Sequence, residues 1–258
     1  MAEALKEFFG FGGYEREAEG FLSWQHLVFV SSLMLLMTAL AIALGRRNRN
    51  RPEREKNRVL IVAAILIDAF EIFKVIIMGL RGNNLLFALP LFICSVQLFS
   101  LPLAAFAKDR VREASLDFIF IFGVLCAVLG TYGAGQNYGA YPVLSFDNVI
   151  SGITHSISGF ASLYIAIAGM MSMKRSNIWI TFGILIAFSA AAYVADVLIP
   201  YNYMFLMRGD GTPYDIFYNL VGGHRVFYPL TVIGLFIAYI VLFYLVYYPI
   251  RKKNASRA

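Results

Sequence analysis

Residues 65–77 read ILIDAFEIFKVII, and how this stretch is read decides the fold. It sits inside an apolar run over 59–80, close to the roughly 20 residues a helix needs to cross a hydrocarbon layer. The run nevertheless holds Asp68, Glu71 and Lys74, spaced so that neighbours share one helical face. Each ionisable group in hydrocarbon costs about 2.5–3.5 kcal/mol. Three on one helix therefore predict partners inside a bundle: a Glu71–Lys74 pair, and Asp68 bonded to a neighbouring helix.

The rest of the chain supplies that bundle. Of 258 residues, 59% are hydrophobic and only 15% charged, with a mean hydropathy of +0.68, which marks an integral membrane protein. Further apolar runs cover 21–45, 85–107, 116–132, 150–173, 178–200 and 226–250. The expected fold is all-α: a seven-transmembrane-helix domain over 21–250, an outer-surface segment over 1–20 and a basic tail over 251–258. Lysine and arginine crowd into the loop GRRNRNRPEREKNR (45–58), then Lys108, Arg110, Arg112, Lys174, Arg175 and the tail. Short loops rich in these residues stay inside, so the N terminus faces out and the C terminus faces the cytoplasm. The net charge of +6 is then a signal of topology and of attraction to anionic lipid, with membrane lipids rather than nucleic acid as partners. The opening MAEALKEFFGFGGYEREAEG lacks the apolar core of a signal peptide. A multi-pass protein of the plasma membrane is expected.

Depth follows from 1.5 Å of rise per residue. Glu71 and Cys94 fall about 13 Å below the outer surface, Lys74 about 9 Å, and His26, His155 and Asp196 about 6–8 Å. Face follows from spacing. Pro90, Cys94, Gln97 and Leu101 form one stripe, and Ser151, His155, Ser158 and Ser162 another; small polar residues so placed line a helix interface or a wet cavity. A buried neutral histidine serves as a base, a ligand or a hydrogen-bond hub, which singles out His26 and His155. Cys126, among Leu125, Ala127 and Val128, reads as a small buried hydrophobe. A metal-dependent lipid hydrolase with two histidines and an acid as ligands ranks lower, because no two of these lie at close helical ligand spacing, and no cofactor is expected. The last span has no lysine for a Schiff base, which argues against a retinal protein.

Several motifs carry a resemblance: SWQH opening the first span, EIFK in the second, LPLFICS in the third, THS in the fifth and YNYMFLMRGDGTPYD after the sixth. Together they resemble the YwaF family of multi-pass membrane proteins, from His26 to about Tyr228. One departure is Phe92, where relatives place histidine two residues before the cysteine. The family is distantly similar to a mammalian transmembrane acyltransferase acting on ether phospholipids. That likeness implies lipid acyl chemistry, acyltransferase or acyl hydrolase, with Cys94 as acyl acceptor and His155 or His26 as base. Glu71 or Asp196 would orient the histidine.

Two functions follow. An enzyme would use Cys94, His155 and His26, with Glu71, Lys74, Asp68, Gln97, Asp196 and Asn202 as binding residues. A transporter or lipid-binding protein would use the Glu71, Lys74, Asp196 and histidine cluster as a polar site or proton relay. Tolerance of serine or alanine at residue 94 separates the two.

Overall fold

The computed structural model describes residues 2–255, with side chains over 3–247, so the basic tail over 251–258 lies outside the residues whose side chains are described. The described chain is helical throughout, in the order α1 (Ala2–Phe9), α2 (Trp24–Asn48), α3 (Glu53–Leu80), α4 (Gln97–Phe106), α5 (Asp109–Leu129), α6 (Gly135–Ala140), α7 (Phe146–Ala168), α8 (Ile178–Leu198), α9 (Tyr214–Leu220) and α10 (Phe227–Ala255). Local chemistry sets the ends. The Ser23 hydroxyl accepts the His26 N–H to cap α2, and Ser145 caps α7 through Asn148 in the same way. Gly169, at φ 71°, closes α7 in the left-handed conformation.

Helix α7 is the central element, packed against α2 and α5, while α4 bridges α3 and α5, and α8 pairs with α10. Small residues permit the closeness. A Cβ on Gly123 of α5 would stand 2.6 Å from the Ser158 carbonyl oxygen, so α5 and α7 approach backbone to backbone. The Ser162 hydroxyl crosses to the Phe120 carbonyl oxygen at 2.9 Å. Polar contacts define the two ends of the bundle. At one end Arg81, after α3, pairs with Asp147 of α7 at 2.9 Å, and α1 lays Phe8 and Phe9 against Phe146. At the other, Asn48 of α2 donates to the Tyr164 hydroxyl of α7.

Four helices are long and apolar enough to cross a membrane: Trp24–Asn48, Phe146–Ala168, Arg175–Leu198 and Phe227–Tyr247. Helix α3 departs from that pattern by its mid-helix charges and α5 by Arg112, Glu113 and Asp117. The run over 85–107 is not one helix. A 3-10 turn Leu85–Ala88 gives way to extended backbone, a second 3-10 turn Ile93–Val96, and then α4. Pro90 is the cause: it has no N–H to donate and drives Leu89 out of the helical region, to φ −59° and ψ 135°. The expected stripe therefore loses Pro90 and keeps Cys94, Gln97 and Leu101. The shorter apolar helix that remains is Ile93–Phe106.

Candidate functional site

The break after Pro90 starts a new helix within the protein, and Cys94 occupies its first turn, partly exposed. Across from it stands His155 of α7. Its Nδ1 lies 2.7 Å from the Ser151 carbonyl oxygen, which can only accept, so Nδ1 carries the proton and Nε2 keeps its lone pair. The Ser151 hydroxyl adds a longer contact to Nδ1 at 3.4 Å. The Cys94 thiol and the imidazole stand side by side, close enough to act on one another, and the Ser95 hydroxyl neighbours the thiol.

Room for the ring comes from Gly130, which caps the end of α5. A Cβ there would lie 1.9 Å from Cδ2 of His155 and 2.1 Å from Nε2. Any side chain at 130 excludes this position of the ring. From α3, the Lys74 ammonium acts on both Cys94 and His155 through its charge, and it pairs with Glu71 at 2.5 Å. A thiol beside a fixed imidazole, with a cation nearby, is an arrangement in which a cysteine can act as a nucleophile.

Other residues singled out by the sequence stand elsewhere or do other things. His26 is fully buried and both its nitrogens are occupied: Nδ1 accepts from the Leu22 N–H at 3.1 Å and Nε2 donates to the Thr131 carbonyl oxygen at 3.1 Å. Its ring lies 3.9 Å from that of Tyr138. With no free lone pair it ties α2 to the end of α5. Asp196 accepts from the Tyr203 N–H at 2.7 Å, and Asn202 bonds the Arg208 carbonyl oxygen, the Asp210 carboxylate and the Met207 N–H. These two hold the loop after α8, so neither Asp196 nor Glu71 orients His155; the Ser151 carbonyl does. Asp68 stands beside Glu71 and makes no hydrogen bond among the described residues. The expected bond to a neighbouring helix is not formed. Gln97 is wholly buried in α4. His224 caps α10, its Nδ1 accepting from the Val226 and Phe227 N–H groups.

The loop over 201–213 roofs the break. The Tyr203 hydroxyl donates to the Leu86 carbonyl oxygen at 2.5 Å, and the Tyr203 and Tyr201 rings pack on Phe92 at 5.3 and 6.2 Å. Met204 and Phe205 both take positive φ, at 52° and 56°, a costly conformation that the Asp196 and Asn202 bonds help to hold.

Two residues went unnoticed in the sequence. Gly130 was legible only as one of several glycines in GTYGAG. Asp117 was visible as a lone acid in LDFIFIF; it is fully buried and accepts from the Ser172 and Met173 N–H groups, Asn177 and Tyr244. It anchors the turn after α7. Open clefts lie by the arginines at the far end of the bundle, between α2 and α3 and beside Arg46, Arg49 and Ile167, away from the cysteine.

Among known families, the TMEM164 family matches residues 21–247 of the chain. No curated protein matches it, and no solved structure does.

Proposed function

Because the chain belongs to the TMEM164 family, a multi-pass membrane family whose match spans nearly all its helices, we propose that it is a membrane-embedded enzyme of lipid acyl transfer. One observation carries this reading: the Cys94 thiol beside an imidazole whose Nδ1 is fixed by a backbone carbonyl. In the reaction, the Cys94 sulfur attacks the ester carbonyl of a phospholipid and His155 Nε2 takes the thiol proton. The ester C–O bond breaks, the proton passes to the departing alkoxide, and the acyl group remains on sulfur as a thioester. An acceptor hydroxyl, of a second lipid or of water, then gives its proton to Nε2, attacks the thioester and releases the thiol. Lys74 favours the thiolate, and Glu71 keeps the lysine in place. The YwaF likeness of the motifs supports the same chemistry.

The same reading includes seven crossings, with α3, α5 and the broken third segment completing the bundle. The arginine-rich connection between α2 and α3 then lies in the cytoplasm, and Cys94 opens to the outer half of a plasma membrane. A transport role is the second reading, favoured by the partial exposure of the Glu71–Lys74 pair, whose side chains are 17% and 27% accessible.

The test is acylation of purified protein in detergent by a phospholipid with a labelled acyl chain. A hydroxylamine-sensitive label on Cys94, absent from Cys94→Ala, weakened in His155→Ala and retained in Cys126→Ala, is the expected result. Folded protein that takes no label at Cys94 would sink the enzyme reading in favour of transport.

A further inference from the structure

We propose that Gln97 is a catalytic residue: its side-chain amide, with the backbone N–H of Cys94, binds the carbonyl oxygen of the acyl ester and holds the negative charge that forms there. The proposal rests on the acyl-transfer reading of Cys94 and His155.

Gln97 has 0% exposure, and neither its Nε2 nor its Oε1 has a hydrogen-bond partner among the described residues. A buried amide with both ends unpaired opposes folding, and its presence calls for a reason. Its position supplies one. Cys94 and Gln97 are separated by one turn of 3-10 helix, in which side chains three apart eclipse. The unpaired amide thus stands one turn along from the thiol on the same face.

The backbone contributes the second donor. Cys94 lies in the first turn of the helix Ile93–Phe106, and the N–H groups of Ile93 and Cys94 have no partner among the described residues. Residue 92, the N-cap, is phenylalanine and offers no side-chain oxygen to satisfy them. Unpaired N–H groups and the positive end of the helix dipole both favour an oxyanion.

The chemistry needs such donors. When the Cys94 sulfur bonds to the ester carbon, the C=O π pair moves to oxygen, giving a tetrahedral species with one negative charge. Collapse returns that pair to the C=O bond and expels the alkoxide, which takes the proton held on His155. Gln97 is fully buried, so bulk water does not solvate the oxygen on its side and fixed donors take that part. The substrate class follows: a carboxylic ester whose carbonyl oxygen lies one helical turn from the thiol.

The test separates acylation from alkylation. Acylation by 4-nitrophenyl decanoate in detergent micelles passes through an oxyanion; alkylation of the same thiol by iodoacetamide is a direct displacement and does not. Rates of both at Cys94, located by peptide mass, would be compared in wild type, Gln97→Met and Gln97→Glu. Both variants should acylate about 100- to 1,000-fold more slowly, while the alkylation rate and pH profile of the uncharged Gln97→Met stay within twofold of wild type. Gln97→Met, which removes the unpaired amide at similar volume, should melt no lower than wild type. Unchanged acylation would overturn the proposal. So would a parallel fall in both rates, which would make Gln97 a support for the thiol. A wild type that alkylates but forms no acyl-Cys94 would instead remove the acyl-transfer reading itself, and this proposal with it.

Discussion

The imidazole of His155 fills the space that a side chain at Gly130 would occupy, with only 1.9 Å between Cδ2 and the position of a Cβ there. The position of the His155 ring on α7 therefore depends on a hydrogen atom at the end of α5. Gly130→Ala should push the ring off Cys94 and slow iodoacetamide labelling of Cys94 at least tenfold, with an overpacking cost of about 1–3 kcal/mol. Labelling at the wild-type rate would show that the ring can relocate without losing the thiol.

The two buried histidines should separate cleanly. His155→Ala removes the imidazole beside Cys94 and should slow Cys94 labelling, at a smaller cost in stability than at His26, because its ring holds one backbone group and the His26 ring holds two. His26→Ala leaves the Leu22 N–H and the Thr131 carbonyl oxygen unpaired, at a cost of about 1–3 kcal/mol each. Its melting temperature in detergent should fall while Cys94 labelling, measured below that temperature, stays near wild type. Reversed phenotypes would return the role of base to His26.

Asp117 should be a stability residue. Replacing it by alanine removes the acceptor of two backbone N–H groups, of Ser172 and Met173, and one of the two acceptors of the Asn177 amide. Each unpaired donor costs about 1–3 kcal/mol, so Asp117→Ala should be the most destabilised of these variants, while Asp117→Asn keeps one acceptor oxygen and loses less. Thermal unfolding of both would decide, and equal melting temperatures would refute the assignment.

At the end of the bundle where Arg81 meets Asp147, Tyr14 donates to the Asp147 carboxylate at 2.5 Å. Burial, with Asp147 beside it, pushes the phenol up to about 12. A raised value means the folded state favours the neutral phenol. Its contribution to stability is complete below about pH 10, the ordinary value, and is lost as pH rises through 12. Wild type should therefore lose stability relative to Tyr14→Phe between pH 10 and 12 and show a constant difference from pH 7 to 9. A difference that does not change with alkaline pH would remove the linkage.

Helical periodicity and hydropathy made most of the elements legible, because an apolar run with caps such as Ser23 and Ser145 has few other ways to satisfy its backbone. The run over 85–107 misled because hydropathy ignores the missing N–H of Pro90. The Glu71–Lys74 pair was readable from spacing along one helix. The meeting of Cys94 and His155 was not, since depth and face leave the rotation and order of neighbouring helices open. Nor could counting show that His26, at a depth similar to His155, spends both nitrogens on backbone. The clue to His155 lay on another helix, in the absence of a side chain at residue 130.

The bond from the Tyr203 hydroxyl to the Leu86 carbonyl oxygen joins residues 117 positions apart. The extended stretch it roofs has no helical bonds of its own, so this segment cannot reach its final form when it leaves the ribosome. It must wait, held by its neighbours or by the insertion machinery, until the residues after α8 have been synthesised and have folded back over it. The surroundings of Cys94 are thus finished late, and a nascent chain stalled before residue 203 carries the thiol without its roof.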